Sequence, residues 1–118
     1  MYSEKVLEYF QHPRNVGEIA GVNVAIEVTN PVCGDVMKLW VVVQDGKVLD
    51  AKFKCAGCVP AVACGSLLTE MMLGKPLAEL AAITAGQIEA GLGGLPQASK
   101  HAAILASDAL KELLDKVR

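Results

Sequence analysis

The period of the hydrophobic pattern changes along the chain. Val6, Leu7 and Phe10 recur at helical spacing between Ser3, a plausible N-cap, and Gln11. Pro13 stops that helix, and Gly17 and Gly21 mark a loop. The period then drops to two. Val24, Ile26 and Val28 alternate with Ala25, Glu27 and Thr29, the pattern of a half-buried strand, and Asn30-Pro31 breaks it. Met37, Leu39, Val41 and Val43 alternate with Lys38, Trp40, Val42 and Gln44, and Asp45-Gly46 signals a two-residue hairpin. The return strand runs from Lys47 to Lys54, with Leu49, Ala51 and Phe53 on one face and Asp50, Lys52 and Lys54 on the other. Three antiparallel strands with one wet face need helices on the dry face.

The second half returns to helical spacing. Pro60 suits a first helical turn, and Val62 through Leu73 is apolar nearly all round, which predicts a buried helix. Gly74 ends it and Pro76 cannot continue it. A short segment, Leu77 to Ala82, follows. Thr84 and Gln87 have capping-box spacing before Ile88 and Leu92. The run from Gly91 to Pro96 is a loop. Ser99 is placed to cap a last helix with Ala103, Ala106, Leu110, Leu113, Leu114 and Val117 inward. Strands first and helices after is an α+β order: a three-stranded antiparallel sheet with helices packed on one face.

Composition narrows the function classes. A chain of 118 residues reads as one domain, 1–118. A domain of that size buries roughly two-thirds of its unfolded surface and needs no disulfide staples. Hydrophobic residues are 53% and aromatics 4%, so the core is aliphatic. The formal net charge of -2, with both signs interspersed, argues against nucleic acid as partner. No run reaches the length of a membrane span, and Met1-Tyr2-Ser3-Glu4-Lys5 is not a signal peptide. The cytoplasm is the expected compartment. There, clustered cysteines are more often metal ligands or reactive thiols than disulfides.

The cysteines differ from one another. Cys55 and Cys58 form a Cys-x-x-Cys pair, but a zinc knuckle needs a second such pair and a redox pair needs a parallel βαβ unit; the chain has neither. Cys55 continues the Leu49, Ala51, Phe53 face and reads as a core thiol. Cys58 follows Gly57, where the backbone can turn and present the thiol outward. Cys64 lies about 240° round the helix from Cys58 and reads as core. Cys33 sits in a loop with Asp35 close by, and Gly34 removes a side chain that would crowd an ion. His101 opens the last helix, where the macrodipole favours the neutral ring that metals take. Two other readings of these residues remain. One is a cysteine hydrolase or transferase on Cys58, His101 and Asp35, although nothing marks an oxyanion hole. The other is a structural zinc module, which predicts unfolding by chelators, against the apolar core.

Three motifs in order carry a resemblance. Cys33-Gly34-Asp35 is the first. Phe53-Lys54, Gly57-Cys58, Thr69-Glu70 and Gly74-Lys75 form the second. Leu95-Pro96, Lys100-His101 and Ile104-Leu105-Ala106 form the third. With the opening Tyr2 to Val6 and His12 to Gly17, the chain resembles the iron–sulfur cluster scaffold proteins of the IscU/NifU N-terminal-domain family over essentially its whole length. The resemblance implies the sheet-and-helix fold above and a shallow metal site at one end. It implies Cys33, Asp35, Cys58 and His101 as ligands of a labile 2Fe–2S cluster, or of iron or zinc at the same site. A dimer with facing sites could merge two such clusters into 4Fe–4S, although no sequence feature shows one. It implies a cysteine desulfurase as sulfur source, an electron donor, and apo-proteins as recipients, so the role is that of a scaffold and carrier and not of an enzyme.

The chain departs from the family twice. The family has a third ligand cysteine, the usual sulfur acceptor, directly after the histidine; here that position is Ala102. This is either a natural alteration or an engineered Cys→Ala change, and the intact surroundings favour the second. Sulfur delivery is then expected to be impaired unless Cys33 or Cys58 substitutes. Leu95-Pro96-Gln97-Ala98-Ser99-Lys100 also replaces the Leu-Pro-Pro-Val-Lys that a DnaK-type chaperone binds in bacterial members, which weighs against that partner.

Overall fold

Three strands pair in chain order into one antiparallel sheet: β1 (Val24–Thr29), β2 (Val36–Gln44) and β3 (Lys47–Ala56). The structure is a computed structural model and describes residues 2–22, 24–30 and 34–117. Asp45 and Gly46 both have positive φ, 55° and 74°, the twist that a two-residue hairpin needs. The expected alternation holds in β1 and β2, where Val24, Ile26, Met37, Leu39 and Val41 are buried and Ala25, Glu27 and Lys38 are exposed.

The face assigned to the start of β3 needs correction. Leu49 is 62% exposed, and Val48 takes its place in the core. Val42 pairs with Asp50 but Val43 pairs with Val48, so β3 carries one extra residue at that point. A bulge of this kind inverts the side-chain phase on one side of it. Ala51 and Phe53, beyond the bulge, point inward as expected.

The helices are α1 (Glu4–Gln11), α2 (Val59–Met72), α3 (Leu77–Leu80), α4 (Ala85–Gly91) and α5 (Lys100–Lys116). Helix α2 packs on β3, α5 lies across β1 and β2, and the two helices touch each other. The apolar run of α2 is buried as its sequence predicts, with Ala61, Ala63, Cys64, Leu67, Leu68 and Met72 in the core. Helix and sheet approach closely at Gly65, where an added Cβ would stand 2.6 and 2.7 Å from two ring carbons of Phe53. Helix α5 turns Ala102, Ala103, Leu105, Ala106, Leu110 and Leu113 inward, while Leu114 and Val117 are only half-buried. Thr84 and Gln87 make both bonds of their capping box at the start of α4.

Two further expectations change. Ser3 caps α1, its Oγ accepting from the Val6 N–H at 3.1 Å and donating to the Leu92 carbonyl. However, Leu7 and Phe10 stay 40% and 37% exposed. Helix α1 meets α2 through Val6 and Tyr9 instead, with the Tyr9 hydroxyl donating to Glu70 and the Arg14 guanidinium 4.3 Å from the Tyr9 ring centroid. At α5, Ser99 makes no side-chain cap; it ends a 3-10 turn over Gln97–Ser99.

The segment after α1 does more than turn. The Arg14 N–H donates to Ser66 Oγ at 2.8 Å and Asn15 Nδ2 donates to Thr69 Oγ1 at 3.2 Å. The Phe53 N–H donates to the Asn15 carbonyl at 2.9 Å, and the Gly17 N–H donates to the Phe53 carbonyl at 3.0 Å. Residues 15–17 thereby cover part of the open edge of β3. Among the described residues, no helix is long and apolar enough to cross a membrane.

The close helix–sheet approach has a measurable consequence. Gly65→Ala is expected to cost about 1–3 kcal/mol by overpacking against Phe53. Gly86→Ala, where a Cβ would meet only Thr84 Oγ1 at 3.8 Å, is expected to gain about 0.5–1 kcal/mol from helix propensity. Urea denaturation of the two variants checks both signs; an unchanged Gly65→Ala midpoint would contradict the packing.

Candidate metal centre

The β2–β3 register builds the site. Val36, the first residue of β2, pairs with Ala56, the last of β3. One position further out, Asp35 and Gly57 face each other across the end of the ladder. The Asn30 N–H donates to the Asp35 carbonyl at 2.8 Å and the Gly34 N–H donates to the Asn30 carbonyl at 2.8 Å, which ties Asp35 back to the end of β1. Gly34 has φ of +75°, and an added Cβ would meet nothing described within 4 Å. That backbone conformation favours glycine there.

Helix α2 starts at once after the strand, so Cys58 is its N-cap residue, with φ −77° and ψ 168°. The helix begins three residues earlier than its apolar run indicates, because Val59 and Pro60 supply the first turn. His101 is the second residue of α5, delivered by the Gln97–Ser99 turn.

These elements bring three predicted residues together. One donor atom each from Asp35, Cys58 and His101 lies within 4.8 Å of the others. The Cys58 thiol donates to Asp35 Oδ2 at 3.3 Å, and Cys58 Sγ is 3.8 Å from His101 Nε2. His101 Nε2 is also 3.8 Å from Asp35 Oδ2. On its far side, His101 Nδ1 is 3.1 Å from the Ala98 carbonyl. A carbonyl only accepts, so Nδ1 carries the hydrogen and the neutral ring turns a bare Nε2 toward the site. Asp35 is 8% exposed, while Cys58 and His101 are half-buried. Cys33, the fourth predicted ligand, lies outside the described residues.

The remaining thiols stand apart from this group. Cys64 is fully buried in the core, as helical phase predicts, and burial pushes its thiol up to about 12. Cys55 packs on the core but is not sealed in it; it lines a cleft of about 470 Å³ with Pro13, Val16, Val36 and Val62. Burial first, then the charges of Asp35 and Cys58, push the Cys55 thiol up to about 12. Cys58 is also raised, chiefly by burial; a backbone hydrogen bond from Ala61 works against the rise, and the hydrogen bond and charge of Asp35 add to it. Ala102 faces the core and is fully buried. The orienting carbonyl of Ala98 escaped sequence reasoning, since a main-chain acceptor leaves no residue-type signal.

Sulfur, oxygen and nitrogen donors converging on one point suit a metal better than they suit acyl transfer. In a cysteine–histidine–carboxylate triad the carboxylate binds the histidine nitrogen facing away from the thiol. Here that nitrogen is taken by Ala98, and Asp35 sits on the same side as Cys58.

Comparison with known proteins agrees. Residues 1–117 match the model of the NifU-like N terminal domain. The iron-sulfur cluster assembly scaffold protein IscU 1 of Archaeoglobus fulgidus is 44% identical over 114 residues, covering 97% of this chain and 74% of that protein. The protein of the same description, IscU, from Escherichia coli K12 is 45% identical over 114 residues, covering 93% of this chain and 88% of its own. Among solved structures, a nitrogen-fixing NifU-like protein (N-terminal) from Brucella abortus superposes with a TM-score of 0.80 over 98% of this chain and 92% of that one. Its identity is 18%, so that likeness is one of fold. A three-stranded sheet backed by α2 and α5, a donor cluster at its end, and a match running from residue 1 to 117 all lead to one assignment: the chain belongs to the NifU-like N-terminal domain family.

Proposed function

We propose that this chain is a scaffold on which a labile iron–sulfur cluster is assembled and from which it is passed to apo-proteins. The observation that carries this reading is the mixed donor set of Asp35, Cys58 and His101 at the end of the sheet. Cys33 is the proposed fourth ligand, which gives a 2Fe–2S cargo two protein ligands on each iron. Thiolates hold such clusters most tightly, and the oxygen and nitrogen donors hold them less firmly. A half-buried site with mixed donors favours release, which a carrier needs and a buried electron-transfer centre avoids. The relatives described above are named as scaffolds, which supports a carrier and not an enzyme.

Iron, an electron donor and sulfur from a cysteine desulfurase supply the cargo, and the site lies in the cytosol. Ala102 offers no thiol, so sulfur delivery is impaired unless Cys33 or Cys58 takes its place; Cys64 is sealed in the core and Cys55 lies outside the donor cluster. The same four side chains suit tetrahedral zinc.

Anaerobic reconstitution with ferrous iron, cysteine, desulfurase and a dithiol reductant, which supplies the electrons that turn persulfide sulfur into sulfide, is expected to produce an iron–sulfur absorption spectrum and equal iron and sulfide content, and the signal should move to an apo-ferredoxin on mixing. Protein that gains no such absorbance would sink the proposal. Asp35 is the donor expected to open first and admit an incoming ligand, so Asp35→Ala should lengthen cluster lifetime; loss of the spectrum in that variant would make Asp35 an obligatory ligand instead. Zinc loading should strengthen as pH rises. A raised thiol pKa means that Cys58 is protonated at neutral pH and must release its proton to bind; this penalty shrinks until pH passes the thiol's folded pKa. Competition with a zinc-sensitive dye across pH 6 to 9, set by the thiol range, checks the slope; a flat profile would contradict it.

A further inference from the structure

We propose that Gly57 is a positioning residue for this metal site: its bare Cα is the surface against which the Asp35 carboxylate lies flat. An ideal Cβ on Gly57 would stand 2.7 Å from Asp35 Cγ and 3.0 Å from each of its two oxygens, and those are its three nearest neighbours. Equal distances to both oxygens, with the carbon nearest, define the approach. A carbon–oxygen bond is about 1.2 Å, so a point 2.7 Å above Cγ along the normal to the carboxylate plane falls 3.0 Å from both oxygens. The carboxylate therefore stacks face-on over residue 57.

The lone pairs of a carboxylate lie in its plane. With the face against Gly57, the edge is what the group presents to the site, where Oδ2 meets the Cys58 thiol at 3.3 Å and His101 Nε2 at 3.8 Å. Gly57 does not have a positive φ, unlike Gly34, so its backbone does not itself demand glycine. Its side is also open to solvent, and the carboxylate is what a Cβ would strike. Carbon atoms in contact sit about 3.5–4.0 Å apart, so any side chain at 57 must push the carboxylate away by about 1 Å. That exceeds what a metal–oxygen bond tolerates, about 0.2 Å.

The contact itself stands without the proposed function; its effect on metal binding rests on that reading. The test is a double-mutant cycle of Gly57→Ala and Asp35→Ala, read by denaturant midpoint in metal-free protein and by affinity for zinc alone. Gly57→Ala is expected to lower the midpoint in the native background and not in the Asp35→Ala background, where the obstructing group is gone. Zinc affinity should fall about 10- to 100-fold in Gly57→Ala, with little further loss in the double variant. If Gly57→Ala does not fold, recovery of folding in the double variant supports the contact, and failure to recover overturns it. Additive effects on midpoint and affinity overturn the proposal while leaving Asp35 a ligand. Coupled midpoints with zinc affinity unchanged in Asp35→Ala keep the contact and sink the metal reading instead.

Discussion

The site depends on one backbone pairing. Val36 opposite Ala56 is the last rung between β2 and β3. Two of the three clustered donors are placed relative to it: Asp35 one step before Val36, and Cys58 two steps after Ala56. Because side chains alternate along a strand, a slip of one residue would turn Asp35 to the other face. The core protects the register from such a slip, since Met37, Leu39, Ala51 and Phe53 would all leave it together. The tight seat of Gly65 on Phe53 then sets the height at which α2 begins, and with it the position of Cys58. His101 comes from a separate helix, carried on the packing of α5 against α2 and the sheet.

The donor set is held differently on its two sides. Asp35 is nearly enclosed and anchored by its neighbours, whereas His101 and Cys58 are half open to solvent. In the metal-free protein the thiol proton of Cys58 is shared toward Asp35, so the two are already in contact before an ion arrives. That contact reduces the reorganisation that binding demands, and it keeps the thiol in its protonated, less reactive form. The thiols of Cys55 and Cys64, close in sequence, are kept out by burial and direction and not by distance along the chain.

Much of the scaffold was legible from residue patterns. The strands followed from alternation, the hairpin from Asp45-Gly46, and the start of α4 from Thr84 and Gln87. Leu49 was misplaced because a bulge adds a residue without disturbing the apparent period. Leu7 and Phe10 were misplaced because helical spacing identifies a face but not the neighbour that covers it; of that stripe only Val6 is buried, and Tyr9, with its hydroxyl on Glu70, joins it. For the site, strand and helix phase separated Cys64 from Cys58 correctly, while the grouping of Asp35, Cys58 and His101 came from family resemblance. Physical reading of isolated residues does not reach across three elements. Strand phase also placed Cys55 against the core, where it packs, but gave no sign that it borders a cleft as well.

The group that orients His101 is a peptide oxygen, that of Ala98, and not a side chain. A side-chain partner would tie the ring's tautomer to one amino-acid identity. A main-chain partner needs only that the turn keep its shape, which Pro96 and the Ser99 N–H bond at 2.8 Å secure. The exposed side chains of Gln97 and Ala98 thus take no part in setting the tautomer. The ring nitrogen that faces Asp35 and Cys58 is therefore chosen by the path of the chain and not by any one neighbouring side chain.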